Sequence, residues 1–336
     1  MASIVNSVGP VRKKITLQII NGSLWQEPCI EGDVTLEYER KGSPGILKFK
    51  VIKDVSLNFQ EGNPVKFMVN DTNVFFGFIF TKGRDKEQII SVTAYDQLRY
   101  FKNKDTYVYK NKTASALLKM ICNDFNLQCG YVEDTKYVIP SRVEDDSTLF
   151  DAVQYALDET VKNTKQMYVL YDDFGKLALK SLGGMKLDLV IDEETGENFD
   201  YTTSIDSNTY NKIKLTYEND DTKTREVYIA KDSDHINQWG VLQYTGTSDK
   251  NVNGKAKADA LLQLYNTKTR NLTIKNAFGD IRVRGGSMII VKLNLGDVNV
   301  LNYMLVEKVK HTFTNGHHSM DLHLSGGTHK GVQFSA

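Results

Sequence analysis

The hydrophobic period of this chain changes from two residues to about 3.6 between Gln88 and Gly130, and this change constrains the fold more than any other feature. On one side of the change, Ile90, Val92 and Ala94 share one face of an extended segment. On the other side, apolar residues follow helical spacing behind a Thr113 or Ser115 cap: Leu117, Leu118, Ile121, Cys122 and Phe125. The sequence therefore predicts a β layer that stops near Tyr100 and a helical layer that starts near Thr113.

Length and charge limit the classes of function. A chain of 336 residues is long for one hydrophobic core, which predicts two or three domains. Lysine plus arginine and aspartate plus glutamate both number 42, so the formal net charge is zero. This balance disfavours a strongly basic nucleic-acid-binding protein, and we expect no specific nucleic-acid binding.

The sequence predicts no stable membrane insertion and maturation in the cytosol. No run of about 18 apolar residues occurs, and the first residues contain no apolar stretch of signal-peptide length. The cysteines Cys29, Cys122 and Cys129 contain no CxxC pair, which fits reduced thiols better than a disulfide framework.

Periodicity divides the chain into three predicted domains. Residues 1–105 have the pattern of a six-stranded β meander, which favours a closed or nearly closed antiparallel sheet. Residues 106–190 combine two helices with a strand hairpin, as a small α/β unit. Residues 191–336 begin with a polar stretch, predicted as a loop or linker from Asp192 to Asn208. Strands follow, then one helix whose apolar face runs from Ala256 to Leu264, then a closing meander in which Asn315-Gly316 predicts a hairpin turn. The tail from Gly326 to Ala336 is expected to be mobile.

No catalytic, cofactor-binding or metal-binding residue is predicted. Five of the six histidines lie late in the chain. If 319–324 is a strand, His317 and His323 share one face, and the opposite face carries His318, Met320, Leu322 and Leu324. A straight strand separates His317 from His323 by about 20 Å, too far to share one ion. The acidic runs at 144–146 and 192–194 lie beside predicted helix starts or in a loop, where acids cap helices and aid solubility. The motifs GxSxG, HExxH and GxGxxG are absent, and Asp249 and Ala256 exclude a P-loop around Gly254.

Two pairs of residues each have more than one possible role. Arg282 and Arg284 flank Val283 on a predicted strand, whose face is either simply exposed or lines a channel or meets an acidic partner. Trp25 and Trp239 are expected in core or interface packing rather than in a carbohydrate platform.

Three short sequence segments lie across the junction between the β layer and the helical layer: AYDQLRY at 94–100, KDTY at 104–107 and NKTAS at 111–115. In these junction segments the chain resembles the XkdQ/YqbQ-type baseplate hub proteins of contractile phage tails, found in PBSX-like prophages and phage-tail-like bacteriocins. The resemblance covers nearly the whole chain. It implies a mainly β, α+β multi-domain fold in which two tube-type β-barrel domains flank a small inserted α/β module.

The resemblance also implies a role. A homotrimer would form a pseudo-sixfold ring that joins the hexameric tail tube to the trimeric spike. The implied partners are the tail tube protein, the spike protein, other baseplate proteins and the tape-measure protein, with no cofactor. The implied location is the virion tail baseplate or a bacteriocin particle, assembled in the cytoplasm of the bacterial host.

Two alternatives stay open at this point. A tail-associated peptidoglycan hydrolase would need paired carboxylates or a Cys/His set, and none stands out, so we expect the protein not to be an enzyme. A receptor-binding or carbohydrate-binding tail protein is suggested by the 17 tyrosines and the abundant β pattern.

Overall fold

The computed structural model describes residues 12–193, 195–206, 208–219, 223–248, 253–294 and 299–326. Contacts divide the described residues into two compact units. The first contains the chain up to Phe199 together with Thr273–Leu301 and Leu305–Leu324, and the second contains Asp200–Leu272, Asn302–Met304 and the described residues from Ser325. The tail that follows Gly326 lies outside the described residues.

Strands dominate both units, as the alternating apolar pattern predicted. The strands up to the start of the second unit are β1 (Ile15–Asn21), β2 (Leu24–Gln26), β3 (Val34–Glu39), β4 (Ile46–Ile52), β5 (Pro64–Val69), β6 (Thr72–Arg84), β7 (Ile89–Tyr95), β8 (Lys104–Lys112), β9 (Cys129–Val132), β10 (Ile139–Thr148), β11 (Tyr168–Asp172), β12 (Leu177–Ser181) and β13 (Lys186–Asp192). The remaining strands are β14 (Asn198–Ser204), β15 (Lys212–Asn219), β16 (Thr224–Lys231), β17 (Gln243–Thr247), β18 (Thr269–Phe278), β19 (Met288–Asn294), β20 (Asn299–Thr314) and β21 (His317–Gly326). The α-helices are α1 (Ala114–Asp124), α2 (Leu149–Thr164), α3 (Ser233–Trp239) and α4 (Gly254–Tyr265).

The largest sheet has the strand order β14-β18-β21-β20-β3-β4-β7-β6-β5-β1-β2, with β19 beside β20 and β13 beside β19. The mainly β fold with an α/β insertion is therefore confirmed. The described strands do not close into a barrel by hydrogen bonding, because the order ends at β14 on one side and at the three-residue β2 on the other. Full closure by hydrogen bonds is thus absent among the described strands. The nearly closed form of the prediction fits the contact between the rings of Phe67 on β5 and Phe313 on β20, whose centroids lie 5.1 Å apart although four strands separate β5 from β20 in the sheet.

The closing strands return to the opening ones. Strand β20 pairs antiparallel with β3, in a register that runs from Lys308 opposite Glu39 to Phe313 opposite Val34. Hairpins with left-handed turn residues shape the same sheet: the turn before β21 uses Asn315 (φ 50°) and Gly316 (φ 83°), as the Asn-Gly pair predicted. The two observed units have different boundaries from the three predicted segments because of this return, and the division at 105 and 190 stays a prediction.

The inserted α/β region has a hydrophobic cluster of its own. Helix α1 begins behind Thr113, whose hydroxyl accepts a hydrogen bond from the Ala116 amide at 3.2 Å, so the predicted cap is confirmed. Apolar residues of α1, α2 and the neighbouring strands are buried together; the buried members include Phe101, Leu117, Leu118, Ile121, Leu149, Val153, Leu177 and Leu179.

The first run of strands in the long sheet ends with β7, in agreement with the predicted end of the β layer near Tyr100. The sequence analysis missed β8, which follows a short 3₁₀ turn and pairs with β10 in a separate two-stranded sheet, with Tyr107 and Tyr109 turned to the buried side. The loop prediction was wrong. The polar stretch that follows Asp192 is not simply a loop, since β14 lies within it beside β18. Polar side chains obscure the alternating apolar pattern in both strands. The strands form nevertheless, because pairing satisfies the backbone hydrogen bonds whatever side chains the exposed face carries.

The second unit contains a three-stranded sheet, β16-β15-β17, with α4 packed on one face. The predicted helix around Ala256 is confirmed as α4, and Ala258 is its buried contact with Ile213 and Leu215. The fully buried Asn211 connects the start of β15 to the segment between α3 and β17. Its side-chain amide donates to the Gly240 carbonyl at 2.7 Å and accepts from the Leu242 amide at 2.9 Å. Within the described ranges, no helix has the length and apolar character needed to cross a membrane.

We predict that Gly77→Ala destabilises the first unit by about 1–3 kcal/mol through overpacking. A Cβ atom at Gly77 would lie 2.3 Å from the Tyr95 carbonyl oxygen, which is fixed in the β6–β7 ladder. Thermal unfolding of the variant measures the loss. Gly83→Ala on the same strand is the matched control, because no atom lies within 4 Å of its Cβ position; equal effects of the two variants would contradict the prediction.

Candidate interaction surface and buried polar clusters

One face of β5, β6 and β7 is core, and the opposite face carries partly exposed aromatic rings. The pattern comes from β6, where Phe75 and Ile79 are buried while Phe76 and Phe78, which alternate with them, lie on the opposite face and are only partly buried. Six outward rings form a connected set with centroids 5.4–6.4 Å apart: Phe76, Phe78, Phe80, Tyr95, Tyr100 and Phe174. We call these six rings, together with Trp25, the aromatic face.

Cations extend the aromatic face at both ends. The Lys66 ammonium lies 5.8 Å from the Phe174 ring and 5.9 Å from the Trp25 ring, and the Arg99 guanidinium lies 5.3 Å from the Phe80 ring. Trp25 itself is 55% exposed on the terminal strand β2, so it is not a core residue. Aromatic and arginine side chains are enriched where protein interfaces gain most of their binding energy. The interface interpretation of Trp25 stays a prediction.

A buried polar cluster joins the long sheet to the inserted α/β region. The Asp96 carboxylate accepts hydrogen bonds from the Gly45 amide at 2.8 Å and from the Leu98 amide at 3.0 Å. The Asp172 carboxylate accepts from the Gly175 amide at 2.6 Å. Both carboxylates are buried. The side-chain amide of Gln97, which follows β7, donates to the Gly175 carbonyl and so links the end of β7 to the loop that follows β11.

Arg284 is the cation of this cluster. Its guanidinium donates to the Asp172 carbonyl at 2.7 Å and lies over the rings of Tyr171 at 4.5 Å and Tyr38 at 5.2 Å. The predicted strand around Val283 is absent: 279–287 connects β18 to β19, and Arg282 is exposed and bound to Asp280 and Asp188 at 2.7 Å each. Arg284 thus meets acidic groups of its own chain.

Burial controls the protonation of the two carboxylates. It raises the pKa of Asp96 well above its ordinary value, and the nearby Asp172 raises it further. Burial likewise raises the pKa of Asp172 to about 6, against the opposing effects of the Gly175 amide and Arg284. Such carboxyls contribute stability that is complete below their ordinary pKa and is lost as the pH rises through about 6.

A second buried cluster is a chain of hydrogen bonds through two histidines. Lys13 Nζ lies 3.0 Å from His318 Nδ1, His318 Nε2 lies 2.9 Å from His311 Nδ1, and His311 Nε2 lies 2.9 Å from the Val283 carbonyl oxygen. An ammonium can only donate and a carbonyl oxygen can only accept. Both imidazoles are therefore neutral, and each carries its proton on Nε2.

The surroundings favour these neutral forms. Burial lowers the pKa of His311 to about 4, and burial together with the neighbouring His311 lowers the pKa of His318 to about 3. The predicted alternation of β21 is confirmed, with His317 and His323 exposed and Met320, Leu322 and Leu324 buried on the other face. The alternation predicts that His318 lies on the inner face. It does not predict the contact with His311, because His311 lies on the neighbouring strand β20. His329 lies outside the described residues.

The acidic runs are bound to neighbouring side chains. Glu144 is buried and accepts from Arg142 Nε at 2.5 Å, Asp145 accepts from the Thr106 hydroxyl at 3.0 Å, and Asp146 pairs with Lys104 at 3.0 Å. Asp192 accepts from the Thr195 hydroxyl at 2.8 Å, and Glu194 lies outside the described residues. Among the residues described, no group of three or more His, Cys, Asp or Glu side chains is arranged to hold a metal ion.

Comparison with known proteins places the chain in a family. A family model described as YqbQ-like matches residues 34–325. Protein YqbQ of Bacillus subtilis (strain 168) is 30% identical over 321 residues, which cover 92% of this chain and 95% of YqbQ. The phage-like element PBSX protein XkdQ of the same organism is 30% identical over 320 residues, covering 92% and 96%. The chain belongs to the YqbQ-like family. The family resemblance inferred from the junction segments is thereby confirmed.

Solved structures show the same fold at low sequence identity. The 43 kDa tail protein of prophage MuSo2 from Shewanella oneidensis superposes with a TM-score of 0.68 at 12% identity, over 92% of this chain and 97% of that one. The E. coli c3393 protein, described as a type VI secretion component similar to phage T4 tail proteins gp27 and gp5, gives a TM-score of 0.58 at 9% identity, over 95% and 79%. The chain thus shares its fold with phage tail proteins, and its family includes a protein of a phage-like element.

We predict that Arg284→Met destabilises the protein by about 2–4 kcal/mol at pH 7.5, because the buried Asp172, which is ionised at this pH, loses its neighbouring cation. The loss should be smaller at pH 5, where Asp172, with its pKa of about 6, is protonated in the folded state. Urea unfolding at both pH values measures the difference. Arg282→Met, which removes the ion pairs of an exposed arginine with Asp280 and Asp188, should cost no more than about 1 kcal/mol; equal losses for the two arginines would contradict the assignment.

We also predict that the free energy of unfolding of the wild type exceeds that of His318→Gln by a margin that narrows from pH 7 to pH 4. A histidine whose folded pKa lies below its ordinary value binds protons in the unfolded chain first, so its contribution is lost as the pH falls. The lost contribution amounts to about 1.4 kcal/mol per pKa unit crossed. His317→Gln, an exposed change on the same strand, is the control. A margin that stays constant across this range would refute the histidine chain.

Proposed function

We propose that the chain is the hub of a contractile tail baseplate, in a phage or a phage-tail-like bacteriocin. In this proposal three copies form a pseudo-sixfold ring that joins the hexameric tail tube to the trimeric spike. The observation that carries it is the full-length agreement with a prophage tail protein, which extends over 92% of this chain and 97% of that one. Agreement over the whole length favours a shared architecture over one shared domain.

Symmetry explains why such a chain would carry two sheet-rich parts. A sixfold tube cannot make equivalent contacts with a threefold spike unless each chain of the trimer presents two similar domains. We assign these to residues 1–105 and 191–336, with 106–190 as the inserted module. The separate hydrophobic cluster of the α/β region supports the insertion.

The proposed role is structural rather than catalytic. The acidic run 144–146 holds the carboxylates that a hydrolase would need. Here Glu144 is buried and bound to Arg142, and the neighbouring acids bind Thr106 and Lys104, which supports a structural role for the run. The proposed partners are the tube protein, the spike protein, other baseplate proteins and the tape-measure protein, and assembly takes place in the host cytoplasm. Clearing of peptidoglycan by the purified chain would overturn the non-enzymatic assignment.

The hub proposal predicts three copies of the chain, on the tail axis, in each assembled particle. Electron microscopy of intact tails that carry this chain with a small label measures position and symmetry, and quantitative mass spectrometry gives the copy number. Six equivalent copies, or label at the tips of tail fibres, would refute the assignment. A monomer in solution is compatible with it, because the tube and spike can template the closure of the ring.

The aromatic face predicts a contact with a neighbouring baseplate protein. Trp25→Ser should reduce incorporation of the chain into particles by about tenfold or more, since interface tryptophans often contribute at least ~2 kcal/mol. Its thermal stability should stay close to that of the wild type, because Trp25 is 55% exposed. The control is Val55→Ser, at a fully exposed apolar residue outside the aromatic face. Normal incorporation of the Trp25 variant would contradict the interface interpretation.

A further inference from the structure

Helix α4 packs on one face of the three-stranded sheet of the second unit. The buried cluster on that side includes no described residue from the opposite face of the strands, which we call the uncovered face. On the covered face, Ile213, Leu215 and Ala230 pack against Ala258 of α4, and the rings of Tyr228 and Tyr244 lie beside them. Side chains alternate between the faces of a strand, so the residues between these point away from α4. Along β16 and β17 the exposed fraction alternates accordingly.

The uncovered face is rich in cations. Lys214 lies between Ile229 and Thr245 in the register, and Lys212 lies between Lys231 and Gln243. The exposed or partly exposed residues of this face, which we call the basic face, are Lys212, Lys214 and Glu218 of β15, Arg225, Val227, Ile229 and Lys231 of β16, and Gln243, Thr245 and Thr247 of β17, while Thr216 of β15 is buried among them. It carries four cations and one carboxylate.

The cations of the basic face have no counter-ion within the described parts of the chain. No ion pair joins Lys212, Lys214, Arg225 or Lys231 to an acid there, although Glu218 stands opposite Arg225 in the register. By contrast, Lys48 and Lys308 on strands of the first unit both pair with Glu37. Unpaired like charges on neighbouring strands repel one another, so a negative partner would relieve this repulsion.

Apolar side chains lie among these charges. Val227 and Ile229 are each 47% exposed on β16. Apolar groups among polar and charged groups are the usual anatomy of a protein interface. Nucleic acid fits less well, because Tyr217, Tyr228 and Tyr244 belong to the opposite face by alternation and leave no ring on which a base could stack.

We propose that the basic face binds an acidic segment of another protein of the baseplate, whose carboxylates pair with these lysines while an apolar side chain contacts Val227 and Ile229. This inference rests on the proposed baseplate function. Three strands about 4.8 Å apart with a rise of ~3.3 Å per residue present roughly 300 Å², well below the ~800 Å² per partner of a stable interface. The contact therefore works together with others in the assembled particle, where tethering raises the effective concentration.

The test places a photo-crosslinking amino acid at Val227 in the full chain, within particles made by cells that carry the complete tail gene cluster. Crosslinked peptides are identified by mass spectrometry. The matched control position is Glu226, which is exposed on the same strand but faces the other way. A crosslink from position 227, absent from position 226, to a segment of another particle protein rich in Asp and Glu supports the proposal.

Charge reversal supplies a second measurement. Lys212→Glu combined with Lys214→Glu should lower the crosslinking yield at position 227 by about tenfold or more, the equivalent of ~1.4 kcal/mol. Lys119→Glu, at an exposed lysine of α1, should leave the yield unchanged. Thermal unfolding of each variant verifies that the second unit remains folded.

The other outcomes each contradict one proposal. A crosslink from position 227 to nucleic acid, to a second copy of this chain or to nothing refutes the acidic partner while the chain is still found in particles. Absence of the wild-type chain from the particles refutes the proposed baseplate function instead. A yield that survives charge reversal refutes the ion-pair basis of the contact.

Discussion

The pairing of β20 with β3 is the interaction on which the first unit depends. It joins residues as far apart in sequence as Glu39 and Lys308, which are 269 positions apart and pair at 2.9 Å. Arg40 reinforces the same place, because its guanidinium binds both carboxylate oxygens of Glu307, at 2.7 and 3.1 Å. Loop-closure entropy grows by only about 0.6 kcal/mol for each doubling of loop length, so a ladder of this kind can close a very long loop.

The return of β20 determines what lies between the two strands. Residues of the α/β region leave the sheet after β7, form their own cluster and return through β13 beside β19. The core includes the edge-to-face pair of Phe67 on β5 and Phe313 on β20, with ring centroids 5.1 Å apart. Strands from the start and from the end of the chain therefore share one core, although the chain between them forms other modules.

The two buried polar clusters respond to pH in opposite directions. The carboxyl cluster around Arg284 loses stability as the pH rises through about 6, whereas the histidine chain loses it as the pH falls toward about 4. Both lie where the 279–287 connection meets other elements, because Val283 accepts from His311 while Arg284 binds the Asp172 carbonyl. A connection without regular structure is thus held by charged and polar contacts on both sides. Such fixed contacts restrict the number of alternative arrangements of this connection.

Local patterns in the sequence determined much of the fold. Alternation identified most of the strands, the Thr113 cap and helical spacing identified α1, and the Asn-Gly pair identified the turn before β21. These features depend on neighbours a few residues away, and so they can be inferred from the chain alone. The junction segments at 94–115 also indicated the family. Membership of this family supports the proposed function more directly than any arrangement of side chains does.

Only the tertiary structure decided which strands share a sheet and which polar groups meet. The sequence gives no sign that β20 lies beside β3, that the sheet stays open, or that Arg284 and Asp172 meet across 112 positions. Nor does it show that His318 donates to His311 on the next strand, or that four cations of β15 and β16 lie on one uncovered face. The physical reason is the same in each case: a partner far along the chain leaves no periodic trace, because burial and charge pairing depend on distance in space rather than on separation in sequence.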